Sequence, residues 1–205
     1  MLEITRLTVE HLAQGCVTDC PAPRIGFAVQ SDRNDAELTD AILQVGDWNV
    51  HLPQDGQTGT AYKGPALLPF TTYGVRLTVT DNTGAAAEAE TTFETGRMET
   101  PWRGQWISDQ AFTFTEAKVS PVPMVFRKTI ETAKPIARAR LYATAMGIYE
   151  VELNGQKLGQ QYFAPGFTSY KSYLQYQTYD VTELLTGHDT VSYTHLRAHE
   201  TTLHL

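Results

Sequence analysis

The chain has 205 residues, 41% of them hydrophobic, which is apolar material enough for one large core or two small ones. Sixteen basic against twenty-three acidic residues give a formal charge of −7, and no Lys/Arg cluster offers a footprint for a phosphate backbone, so nucleic acid is not an expected partner. No run of 18 apolar residues is present, which argues against a membrane partner, and Met1-Leu2-Glu3-Ile4-Thr5-Arg6 lacks the basic and apolar regions of a secretory signal, so the expected location is cytoplasmic.

Short alternating runs of β-branched and aromatic residues, punctuated by Gly, Pro, Asn and Asp, dominate the chain, and no stretch carries apolar residues at helical spacing. Cys16 and Cys20 come first, spaced C-x3-C in a loop-like stretch. A zinc site needs two further ligands at a matching spacing, so they are read as reduced thiols with no metal.

Leu67-Leu68-Pro69-Phe70-Thr71-Thr72-Tyr73 then has the L-x-P-x-T-x-Y spacing of a tyrosine corner, in which a Tyr hydroxyl bonds back to upstream backbone at the turn between two sheets. Val75-Arg76-Leu77-Thr78-Val79-Thr80 follows as a strand with Val75, Leu77 and Val79 on one face. Asp81-Asn82-Thr83-Gly84 supplies turn chemistry, and an antiparallel strand is expected from Glu88 to Phe93. Residues 1–97 thus read as a small fibronectin type III-like or immunoglobulin-like sandwich. Gly96-Arg97-Met98-Glu99-Thr100-Pro101 breaks the alternation and marks a boundary, with a second domain over 98–191.

In that second region Met124–Ile130 and Leu141–Ala145 are strand candidates, the first following Pro121 and Pro123. Tyr149, Val151 and Leu153 alternate with Glu150 and Glu152, and the run ends at Asn154-Gly155, the strongest short hairpin signal. Four or more strands in under about 100 residues point to a second sandwich of jelly-roll type. The expected fold class is therefore all-β, two consecutive β-sandwiches.

No catalytic constellation emerges. Glu150 and Glu152 share a strand face, whereas a glycosidase pair flanks its substrate from opposite sides and comes from separate elements, so they read as the wet face of a half-buried strand. His195 and His199 stand at i, i+4, but no Glu follows the first histidine as a zinc-protease motif requires. A G-x-S-x-G elbow, a phosphate loop and a dinucleotide fingerprint are all missing. Tyr162, Phe163, Phe167, Tyr170, Tyr173, Tyr176 and Tyr179 make a dense aromatic stretch that suits either sugar stacking or a core.

Several ordered motifs resemble the N-terminal part of bacterial α-L-rhamnosidases, inverting glycoside hydrolases, over roughly residues 5–190. In the first domain these are Tyr62-Lys63-Gly64-Pro65-Ala66-Leu67-Leu68-Pro69, Thr71-Thr72-Tyr73 and Phe93-Glu94-Thr95-Gly96. In the second they are Trp102-Arg103-Gly104-Gln105-Trp106-Ile107, Phe126-Arg127-Lys128, Ala139-Arg140-Leu141-Tyr142, Gly147-Ile148-Tyr149, Leu153-Asn154-Gly155, Ala164-Pro165-Gly166-Phe167-Thr168-Ser169-Tyr170 and Tyr176-Gln177-Thr178-Tyr179-Asp180-Val181-Thr182. The family more often has Trp where Phe167 stands. The pattern stops after Val191, and residues 192–205, with three of the six histidines, read as a frameshift or foreign tail on a truncated frame.

The resemblance implies that these domains precede an (α/α)6 barrel, the missing partner, which carries the general acid and base that hydrolyse terminal α-L-rhamnosides. No catalytic, cofactor or metal residue is expected in this chain. The alternative that the resemblance implies is a carbohydrate-binding module for rhamnose-containing glycans, with or without calcium, and Asn154, Tyr149 and Tyr170 are its candidate contacts.

Overall fold

The structure, a computed structural model, describes residues 1–52, 59–107, 123–131 and 133–196. Two compact units divide the chain, Met1–Arg103 and Gly104–Leu205. Among the described residues there is no α-helix, and so none long and apolar enough to cross a membrane.

The first unit contains β1 (Leu2–Val9), β2 (Cys16–Thr18), β3 (Arg24–Ser31), β4 (Leu38–Val45), β5 (Trp48–His51), β6 (Thr60–Ala61), β7 (Thr72–Asp81) and β8 (Ala86–Thr95). They form a three-stranded sheet in the order β1-β3-β6 and a five-stranded sheet in the order β2-β8-β7-β4-β5. All pairings are antiparallel except that of β2 with β8. Val9, Ile25 and Phe27 from the smaller sheet share one core with Leu43, Val45, Val75, Leu77, Val79 and Phe93 from the larger, all nearly or fully buried. Each such side chain contributes roughly 1.5–3 kcal/mol by leaving water, which is why the period-2 pattern fixes which face of β7 turns inward.

The corner takes the form its spacing implied. Leu68 N donates to the Tyr73 hydroxyl at 2.8 Å, and the Tyr73 ring stacks on Phe93 at 5.4 Å between centroids. Thr95 adds a second clamp: its Oγ1 donates to Leu68 O at 2.5 Å and accepts from Thr71 N at 2.9 Å. At the other end of β7, Asp81 Oδ1 accepts bonds from Thr83 N (2.8 Å), Thr83 Oγ1 (2.6 Å) and Ala85 N (3.0 Å), while Gly84 takes φ +81°, a value that glycine adopts without steric cost. Those donors, that of the Thr83 hydroxyl foremost, hold the Asp81 carboxyl below the usual carboxylate range.

Among its described residues the second unit contains β9 (Met124–Glu131), β10 (Arg140–Ala143), β11 (Ile148–Leu153), β12 (Gln156–Lys157), β13 (Gln177–Asp180) and β14 (His188–Leu196), with a 3₁₀ turn at Thr182–Leu184. A four-stranded antiparallel sheet runs in the order β12-β11-β14-β9, and β10 pairs with β13 in a separate two-stranded sheet. Asn154 (φ +53°) and Gly155 (φ +78°) form the two-residue turn between β11 and β12, both in the left-handed region that an Asn-Gly hairpin uses. Tyr149, Val151 and Leu153 join Ala143, Ala145, Leu158, Ala164, Tyr179 and Val181 in a second core, with Val191 packed against it. The chain is thus all-β, two sandwiches in series, the class its strand patterns implied.

Candidate functional site

The structure does not gather the three sequence-derived sugar contacts into one surface. Tyr149 is 1% exposed, and its hydroxyl lies 3.2 Å from Ala143 O, 3.1 Å from Gln177 Oε1 and 3.1 Å from the Tyr179 hydroxyl. That is a closed polar knot inside the core, with no ring face open to a ligand. Asn154 sits at the hairpin turn, where its amide donates to Leu184 O at 3.2 Å and to Asp189 Oδ1 at 2.9 Å. Tyr170 is half-buried, and its ring meets Phe167 edge-on at 6.1 Å.

Asp189, which no sequence signal singles out, explains the turn. Its carboxylate has no exposed surface, and it accepts from Asn154 Nδ2, from Thr186 Oγ1 (2.6 Å), from Thr186 N (2.8 Å) and from Gly187 N (3.0 Å). The Thr186 hydroxyl first, then the Asn154 amide, hold this carboxyl far below the usual range against the opposing effect of burial. Asn154 is therefore the link between the β11–β12 hairpin and the loop entering β14.

Of the two carboxylates on β11, Glu150 is engaged locally. Glu150 accepts from Lys157 Nζ across the hairpin at 2.6 Å, and that bond is the main reason the Lys157 ammonium titrates above its ordinary value. Glu152 is exposed on the same strand. Among the described residues no three His, Cys, Asp or Glu side chains gather as a metal site would require. Cys16 is buried and Cys20 half-buried, both as free thiols; burial, and then the nearby Glu10 charge, push the Cys16 thiol up. Of the His195/His199 pair, His199 lies, with the rest of 197–205, outside the described residues, and the strand in which the family pattern was expected to stop, β14, runs to Leu196.

The aromatic stretch divides in two. Tyr179 faces the core, whereas Tyr162, Phe163, Phe167 and Tyr173 are all more than half exposed. A shallow cleft of about 350 Å³ is lined by residues 156–159, Gln161, β13 and Leu184. Lys157, one of the lining residues, has its Nζ 4.7 Å from the centroid of the Tyr162 ring. At the far wall Asp180 Oδ1 pairs with Arg140 at 2.8 Å and accepts from Thr182 N and Oγ1. The motif over residues 176–182 is legible in the sequence, but its meeting with residues 156–161 is not, since the two walls come from segments some twenty residues apart.

Comparison with known proteins agrees with this architecture. Residues 4–99 match the Rha78A-like, N-terminal immunoglobulin domain, and residues 134–194 match the alpha-L-rhamnosidase N-terminal domain. An alpha-L-rhamnosidase of Streptomyces avermitilis is 59% identical over 49 residues, which is 24% of this chain and 5% of that protein. The structure of alpha-L-rhamnosidase from Dictyoglumus thermophilum superposes with TM-score 0.84 at 22% identity, over 97% of this chain and 25% of that one. Native alpha-L-rhamnosidase from Aspergillus terreus gives 0.81 at 26% identity, over 96% and 24%. The chain therefore spans about a quarter or less of the length of each of these proteins. The two units follow one another in the order of the two matched N-terminal domains. More narrowly, the chain carries the N-terminal domains of the α-L-rhamnosidase family.

Proposed function

We propose that this chain is the accessory, non-catalytic N-terminal portion of an enzyme that hydrolyses terminal α-L-rhamnosides, its sandwiches supporting an (α/α)6 catalytic barrel. The observation that carries the reading is the ordered match of both units, 4–99 and then 134–194, to domains that begin α-L-rhamnosidases. The surroundings of the carboxylates support it. An inverting glycosidase needs two carboxylates about 6.5–9.5 Å apart across a bound sugar, one of them holding a proton. Here Glu150 is tied to Lys157, Asp180 to Arg140, and Asp189 is sealed among hydroxyl, amide and backbone donors, so each already has local partners.

A graft tests the reading. Replacing the corresponding domains of the Dictyoglumus thermophilum enzyme with residues 1–196, which keep the whole of β14, should keep soluble rhamnosidase activity that deletion of those domains loses. A graft no better than the deletion, while the enzyme's own domains restore activity when returned, counts against a supporting role.

A second reading, carbohydrate recognition by the second unit, is favoured by the exposed rings of Tyr162, Phe167 and Tyr173, since a pyranose presents an apolar face to such rings.

A further inference from the structure

We propose that Asn154 is a deamidation site gated by the fold: its bonds to Asp189 and Leu184 hold it intact, and local opening of the β11–β12 hairpin converts it irreversibly.

The chemistry starts from the sequence. Asn154-Gly155 is the one Asn-Gly pair in the chain, since Asn34, Asn49 and Asn82 precede Asp, Val and Thr. A glycine has no Cβ to shield the backbone nitrogen that attacks the asparagine side chain. A bond forms from Gly155 N to Asn154 Cγ, the Cγ–Nδ2 bond breaks, and ammonia leaves with the proton that Gly155 N gives up. Water then opens the cyclic imide at either carbonyl. The residue ends as an aspartate or, with the chain rerouted through its side chain, as an isoaspartate. One water is consumed and one ammonia released, with no change of oxidation state.

The fold opposes the ring closure. Both residues of the turn are exposed, so access of water is no barrier. The restraint is on the amide, whose Nδ2 donates to Leu184 O at 3.2 Å and to Asp189 Oδ1 at 2.9 Å. Closing the imide requires Cγ to swing toward Gly155 N and become tetrahedral, which draws Nδ2 off both acceptors. Asp189 is not free to follow, because Thr186 Oγ1, Thr186 N and Gly187 N hold its two oxygens at 2.6–3.0 Å. The backbone of the turn is held as well: β11 pairs with β12, and beyond that pairing Leu158 N donates to Val151 O at 2.9 Å. Conversion is left to molecules in which the hairpin has opened locally, a fraction set by the strength of these bonds.

The product does not fit the place that the asparagine held. A carboxylate at position 154 has no proton to donate, and it would face the buried Asp189 carboxylate where a 2.9 Å hydrogen bond stood. Each conversion is therefore a one-way loss of the joint between the hairpin and the loop entering β14.

The test incubates the full chain at mildly alkaline pH and follows Asn154 by peptide mass mapping, with Asn34, Asn49 and Asn82 as internal references. In concentrated urea Asn154 should convert faster than the three references, and in the folded chain it should convert slower than in urea by about tenfold or more. Asp189→Asn should raise the folded-chain rate toward the urea value, by roughly 5- to 150-fold, as expected when a buried hydrogen-bond partner is lost. Should that variant unfold, the parent chain decides. Below its unfolding transition, added urea should raise conversion at Asn154 in step with hydrogen exchange of the Leu158 amide. Anion exchange then isolates the converted chain, whose β11 and β12 amides should exchange faster than the parent's while β7 amides do not. Equal rates in folded and urea-unfolded parent chain overturn the gating, as does a rate that ignores both Asp189→Asn and the opening at Leu158. Parent-like protection of β11 and β12 in the converted chain overturns the loss of the joint.

Discussion

Replacing Tyr149 with Phe separates a core residue from a sugar contact. The substitution keeps the ring, and with it the packing against Val151 and Leu153, and deletes one hydroxyl whose surroundings are fully described: Ala143 O, Gln177 Oε1 and the Tyr179 hydroxyl, all within 3.2 Å. The hydroxyl has one proton to donate and accepts in return, so its removal strands at least one buried polar group, which costs about 1–3 kcal/mol. Tyr149→Ala should cost more, about 3–5 kcal/mol, because a cavity is added to the lost bonds. Native-state hydrogen exchange on the full chain reads this locally. Amides of β11 should lose roughly 5- to 150-fold of protection in Tyr149→Phe, with β7 amides of the other unit as internal reference. Unchanged β11 protection would refute the reasoning, and so would undiminished stability accompanied by lost rhamnose binding.

Other outcomes follow from the same structure. Asp189→Asn puts a second set of donors against Thr186 and Asn154, so the second unit should unfold at lower urea. In the parent chain the Asp189 carboxyl is lowered on folding, so its contribution is complete above about pH 4 and fades as acid approaches the folded value. Urea midpoints at pH 7 and pH 3 should therefore fall on acidification in the parent and fall less in Asp189→Asn. Tyr73→Phe removes the bond from Leu68 N and should cost the first unit about 0.5–1.5 kcal/mol by thermal unfolding. Gly64→Ala should cost that unit about 1–3 kcal/mol, since the new Cβ would lie 2.5 Å from the Tyr62 hydroxyl and 2.7 Å from Trp48 Cγ.

The parts of the fold that were legible are those written in local chemistry. The alternation in β7 and β11, the Asp81–Gly84 and Asn154-Gly155 turns and the Tyr73 corner each depend on residues within a few positions of one another, and each appears where its signal stands. What escaped is non-local. Nothing near Asp189 announces that its partners include Asn154, thirty-five residues earlier. Nor does β14 show in its sequence that it lies between β11 and β9. Tyr149 is instructive because two signals disagreed: alternation put it on the apolar face with Val151 and Leu153, whereas the family resemblance made it a sugar contact. The structure puts its ring in the core. The cleft was invisible for the same reason as Asp189, its walls being joined only by folding.

The most direct measurement of the central claim is hydrolysis of an aryl α-L-rhamnoside by the purified chain. Release no faster than in buffer is expected, because Glu150, Asp180 and Asp189 are each bound to neighbouring donors, and Glu150 and Glu152 share one strand face instead of flanking a sugar from opposite sides. Turnover on the order of 1–1,000 per second, the ordinary enzymatic range, would place a catalytic pair within these two sandwiches and contradict it.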